Sequence, residues 1–324
     1  MRRPEYVLLH RMLGISPGLS CGQRDRAYLE TTIRHVKEAV GVDRVVALAF
    51  DEYHRDDGTA LGPAGSRRVL GTDLYVSNTF VHALCMQEPD HFLFGASIHP
   101  YRRCGETSAV DMLDEVAAAG AVLVKWLPLT QNIRAADERA VAFLRRAGEL
   151  RMPMLIHYGD ERALSTNHRE LADVEPLLSV LRGLRAENKM PPVIVAHCGT
   201  PSAYRLRPFN SFVAFERAVL GEFADAPLYG DESGMGVFTR AGWLKRLALR
   251  SDLQACLVHG SDFPVPVNPM SFFRPLGTEV WRIRRVSSWI ERDYRLKQAL
   301  GFDRAVMTRG WKILRAGLKH RFAT

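Results

Sequence analysis

Six polar residues stand at or near the points where short apolar runs stop: His99, Lys125, His157, His197, Asp231 and Asp262. The run CLVHGSDFPVP (256–266) poses the problem most sharply, because it ends a buried stretch on a carboxylate. An unpaired charge is costly there, so Asp262 needs a partner. If two of these imidazoles converge with one of the carboxylates, they offer a zinc, iron or manganese ion a ligand set. Such an ion lowers the pKa of its bound water to about 7, and a neighbouring carboxylate can take the proton. The partner of Asp262 would then be the metal and its water. His99, Lys125 and Asp231 would line the same mouth and meet the substrate. Each residue alone also has a plainer reading. A strand histidine can be hydrogen-bonded in a core, Lys125 can snorkel outward, Asp231 can cap a turn and Asp262 a helix. Cys198 makes no nucleophilic dyad with His197, because neighbours on a strand point to opposite faces.

These residues need elements to carry them. Apolar runs at 44–50, 92–98, 121–127, 153–158, 192–198, 227–233 and 256–262 read as strands. Amphipathic stretches at 73–88, 107–119, 137–150, 173–188, 210–224 and 239–250 read as the helices between them. Such alternation implies parallel strands with right-handed crossovers. Polar residues on so many strand ends favour a barrel, whose strand ends share one mouth, over an open sheet with one switch point. No GxGxxG follows the first strand. The expectation is a single α/β domain over 1–324, a TIM-like (β/α)8 barrel with strands in 43–266. A basic helical segment from about 274 to 324 should pack outside it. In that segment Val306, Ile313, Leu314 and Trp311 are available for burial.

LIHYGDE (155–161), VIVAHCG (193–199) and VHGSDFPVP (258–266) resemble strands five, six and eight of the amidohydrolase superfamily. SIHPYR (97–102), AVLVKWLPLTQNI (121–133) and LYGDES (228–233) resemble strands three, four and seven of its hydrolase and decarboxylase branch. The resemblance implies a metal-dependent barrel in which His157 and His197 are metal or substrate ligands and Asp262 is ligand and base. Lys125 matches a strand-four position and is left off the metal list. These enzymes normally open on a strand ending in HxH, and no HxH occurs here. EYVLLHRMLG (5–14) and 30–43 read as helices instead, so the strand count is one short. The expectation is a chain lacking its first strand, with bare sheet edges at 44–50 and 256–262 and weak metal binding. Three functions follow: a metal-dependent hydrolase first, a nonoxidative decarboxylase of a small carboxylic acid second, and an impaired or non-enzymatic barrel third.

Composition sets outer bounds. The 324 residues are 47% hydrophobic and 25% charged, enough for a sizeable core. No run reaches the length of a membrane span, and the opening MRRPEYVLLHRMLG is not expected to be a signal peptide, since it has no long apolar core and no small-residue cleavage site. Five scattered cysteines without CxxC fit a reducing, cytoplasmic setting. The net charge of +8 belongs to the segment from Arg274 to Arg321, and the remainder is close to neutral. That segment reads as a solvated helical surface, so a small-molecule substrate is expected rather than nucleic acid, with a homo-oligomer possible.

Overall fold

The computed structural model describes residues 4–16, 18–63, 70–159, 164, 168–202 and 210–322. Strands Val45–Leu48 (β1), Phe92–Ala96 (β2), Leu123–Trp126 (β3), Met154–His157 (β4), Val193–Ala196 (β5), Leu228–Asp231 (β6) and Leu257–Val258 (β7) form one sheet. All neighbours are parallel and follow chain order. Each strand sits inside a run read from the sequence.

The intervening helices also fall where the periodicity puts them: Asn78–Gln87 (α3), Ala109–Ala118 (α4), Glu138–Glu149 (α5), Glu175–Ala186 (α6), Asn210–Leu220 (α7) and Ala241–Ala248 (α8). Their starts are written locally. Ser77, Ser108 and Asp137 each accept a backbone N–H of the first turn, and Ser108 with Asp111 closes a capping box. Such a cap contributes about 1 kcal/mol. The outward residues of the strands, among them Phe92, Phe94, Val124, Met154, Ile156, Val193, Val195 and Leu228, join these helices in the main core.

The inward residues meet a different partner. Arg304–Phe322 forms a long helix (α10). Its Leu314 and Leu318 cluster with Val46, Leu48, Leu93, Leu123 and Leu155. Its Ile313 clusters with Leu155, Ile194, Tyr229 and Val258. Residues from both edges of the sheet therefore gather on one helix, and the sheet is curled around it. Gly317 is the close approach, since a Cβ there would lie 2.6 Å from the carbonyl oxygen of Arg151. Arg309 donates to the carbonyls of Gln254 and Leu257, and Arg321 to that of Ala121. The basic segment is thus divided: Lys312, Arg315 and Lys319 face solvent, while Arg309 and Arg321 bind backbone near strand starts. Val306, Ile313 and Leu314 are buried as expected, whereas Trp311 stays 47% exposed because the stripe that docks runs through the other three.

Among the described residues β1 and β7 do not pair. The segments beside this seam are tied to each other. Helix Cys21–Lys37 (α2) receives a hydrogen bond from the Ser288 hydroxyl at the carbonyl of His35, 2.6 Å, and helix Trp289–Ala299 (α9) begins there. The Gly41 N–H donates to Glu291, 2.7 Å. Leu13 and Ile15, after helix Pro4–Met12 (α1), pack with Trp289, Tyr28 and Phe263. The strands β1 and β7 are the edges of the sheet, as expected; just past their ends Phe50 exchanges backbone hydrogen bonds with Val76, and His259 donates its N–H to Val306.

Candidate active site

The β5 strand ends in a left-handed run, with φ of 53° at His197, 52° at Cys198 and 66° at Gly199. This turn sets His197 against the end of β6. Its backbone N–H donates to Asp231 Oδ1 at 2.7 Å. Its ring Nδ1 lies 2.6 Å from the carbonyl oxygen of Ser233, which can only accept, so Nδ1 carries the proton. In the neutral ring Nε2 is then an acceptor, and it stands 3.7 Å from Asp262 Oδ2. Burial, and then the charges of Arg240, His157 and Lys125, hold the His197 pKa far below the usual imidazole value. The ring is therefore neutral at neutral pH.

Asp262 reaches this position through its own left-handed backbone, φ 55°, ahead of a cis Phe263–Pro264 peptide. Its side chain keeps 39% exposure, which leaves it open to substrate and water. Gly234 makes the approach possible, because a Cβ there would lie 2.5 Å from Asp262 Oδ2. His157, at the end of β4, is buried with its ring edge-on to His197 and the centroids 5.1 Å apart. Asp231 is buried, and burial raises its pKa despite hydrogen bonds from the N–H of His197 and from Ser233. Lys125 is buried on β3, and its charge lowers the pKa of both His197 and Asp231. Five of the six residues singled out in the sequence thus belong to one neighbourhood.

His99 is placed differently. Its Nδ1 accepts the Tyr101 N–H at 3.1 Å and its Nε2 donates to the Gln131 carbonyl at 2.8 Å. Both ring nitrogens are therefore committed to backbone. The ring stacks on His54 at 4.3 Å, and burial keeps it neutral. Asp51 accepts the His99 N–H at 2.6 Å and two bonds from Arg102. Sequence reading missed Asp51, Arg102, Glu232, Ser233 and Gly234. The polar run after β6 was the available signal for the last three. Cys198 donates to the carbonyl of Asp231 and burial raises its pKa, so it is no nucleophile in this arrangement. Asp160 and Glu161 of LIHYGDE lie outside the described residues.

Among the described residues no three His, Cys, Asp or Glu side chains are grouped so as to hold a metal ion. His197 Nε2 and Asp262 Oδ2 face each other as two donors, and among the described residues no third closes the set. What the pair can do unaided is accept hydrogen bonds from a common water and take one of its protons.

A family model described as amidohydrolase matches residues 44–280. No curated protein matches the chain in sequence. Among solved structures, a TIM-barrel protein from Bordetella bronchiseptica aligns with TM-score 0.54 and 16% identity, over 91% of this chain and 90% of its own. A probable 2-pyrone-4,6-dicarboxylic acid hydrolase from Acinetobacter baumannii aligns with TM-score 0.51 and 15% identity, over 89% and 88%. At such identity these likenesses establish a TIM-barrel fold and nothing finer.

Proposed function

The chain belongs to the amidohydrolase family, and from that membership we propose that it is a hydrolase that activates a water at the C-terminal mouth of its barrel. The observation that carries this reading is the Asp262 carboxylate 3.7 Å from the acceptor nitrogen of a neutral His197. A water between them donates to both. As its oxygen attacks the carbonyl carbon of an ester, lactone or amide, its proton passes to Asp262, which returns it to the leaving group. His197 orients the water and stays neutral. Lys125 supplies positive charge beside the pair, where it favours an anionic substrate and the oxyanion that forms on attack. His157 walls the pocket behind the ring of His197. His99 holds the neighbouring strand end through backbone contacts and is not a substrate contact in this mechanism.

A divalent ion, zinc before manganese or iron, is what the family resemblance suggests. The described donors do not complete a site, so no step is drawn through it. The substrate is a small molecule, and no helix of the described chain is long and apolar enough to cross a membrane.

The test is incubation of the purified protein with panels of esters, lactones, amides and carboxylic acids in ¹⁸O-labelled water, followed by mass spectrometry. One labelled oxygen in a product acid, lost in Asp262→Asn, supports the hydrolase. Release of carbon dioxide without label uptake replaces it with the decarboxylase. Inactivity on every panel, together with no metal taken up from zinc or manganese solutions, favours the non-enzymatic barrel.

A further inference from the structure

Against Gly260, two residues before Asp262, lies a buried charged cluster that the mechanism above does not use. Glu232, Asp293 and Lys297 are each at most 3% exposed. Lys297 comes from α9, beyond the stretch matched by the family model. Its Nζ donates to Asp293 Oδ2 and, at 2.7 Å, to the carbonyl oxygen of Gly260, and lies 3.6 Å from Glu232 Oε1. Glu232 accepts the Gly260 N–H on Oε2 at 3.1 Å and binds His259 Nδ1 on Oε1 at 2.8 Å. Both backbone groups of Gly260 are therefore held by side chains from outside its own segment. Gly260 also packs tightly on the turn after β6, since a Cβ there would lie 3.0 Å from the Cβ of Ser233. Two residues later the chain presents Asp262.

Burying a lysine costs much unless its partners are well placed. Here the partners are placed. Burial alone would lower the Lys297 pKa, but Asp293 and Glu232 outweigh it and raise it. Burial would likewise raise the Glu232 pKa, and Lys297 and His259 outweigh that and lower it. Both groups are charged, which suits a fixed clamp more than a proton store.

We propose that Glu232 and Lys297 are positioning residues that fix the backbone of Gly260 and so set Asp262 against His197, an inference that rests on the His197–Asp262 pairing of the proposed function. Neither residue touches the reacting atoms.

The experiment uses the full chain labelled with ¹⁵N-histidine and reads the His197 Nε2 resonance at neutral pH, with thermal melts alongside. Asp262→Asn should move that resonance, because it changes the group facing Nε2. Glu232→Gln and Lys297→Met should move it in the same direction, while Arg295→Ala, on the exposed side of α9, should leave it in place. If Asp262→Asn has no effect, the pairing itself is wrong and the proposed function falls with it. If Asp262→Asn moves the resonance and both clamp variants leave it unmoved in folded protein, the positioning role is overturned and the pairing stands. Should Lys297→Met fail to fold, Glu232→Gln decides alone, since it keeps the size of the side chain and an acceptor for Gly260.

Discussion

Asp231 and Glu232 are adjacent at the end of one strand and hold the strand ends on either side of it. Asp231 accepts the backbone N–H of His197 at 2.7 Å, and Glu232 accepts the backbone N–H of Gly260 at 3.1 Å. Two neighbouring carboxylates, one on the last residue of β6 and one just past it, thus serve the two strands that flank it. The carboxylate of Asp262 and the imidazole of His197 inherit their separation from this pair.

Replacing Asp262 tests the chemistry directly. Asp262→Asn should lower turnover by roughly 10²–10⁴-fold, the usual contribution of a positioned general base. Its 39% exposed side chain predicts little change in the melting temperature. The measurement is kcat on a substrate found in the labelled-water screen, with a thermal melt of the same preparation.

Gly234→Ala should be more disruptive than its size suggests. The backbone there has φ 62°, and the added Cβ would lie 2.5 Å from Asp262 Oδ2. The unfavourable φ alone costs on the order of 1 kcal/mol. Denaturant titration should show that loss, and turnover should fall because Asp262 must move aside.

The buried histidines predict a pH dependence of stability. Burial depresses the folded pKa of both His99 and His197 below 6.5. Their neutral forms are the ones the native state accepts, so the stabilisation is complete above the unfolded pKa. It is lost as pH falls below 6.5 toward the folded values, where the unfolded chain takes up protons that the native state refuses. Denaturation midpoints should drop between about pH 7 and pH 5.5. His99→Gln should shallow that slope, and an unchanged slope in this variant would remove His99 from the account.

Helix α10 offers a paired comparison. Leu314 is buried against inward strand residues, so Leu314→Ala should cost about 2–5 kcal/mol. Trp311, three residues away and 47% exposed, should change stability by no more than about 0.5 kcal/mol when replaced by alanine. Equal losses at the two positions would mean that α10 docks through a different face.

Much of the fold was legible because it is written in short-range patterns. All seven strands and six intervening helices lie in runs whose periodicity is local, from Val45–Leu48 to Leu257–Val258. The candidate site was legible to the extent that strand ends announce polar residues, which brought out His157, His197, Asp231 and Asp262. The rest depended on pairings between distant segments. Nothing near Lys297 in sequence reveals that its ammonium reaches the carbonyl of Gly260. His99 looked like a mouth residue because it follows closely on the end of β2. Its ring nitrogens are taken by Tyr101 and Gln131, a fact held in loop geometry. The amphipathic stripe of α10 was visible, but whether it covers the outer or the inner side of the sheet is a tertiary choice.

That choice has a kinetic consequence. Because Leu314 and Leu318 complete the inward layer that Val46 and Leu48 begin, contacts at the bottom of the barrel join residues separated by most of the chain. Such long loops must close before those contacts stabilise anything, which slows folding. Until α10 arrives, the inward leucines and valines of β1 to β4 have no cover. The species most prone to self-association should therefore be a late intermediate with its sheet formed and this helix still undocked.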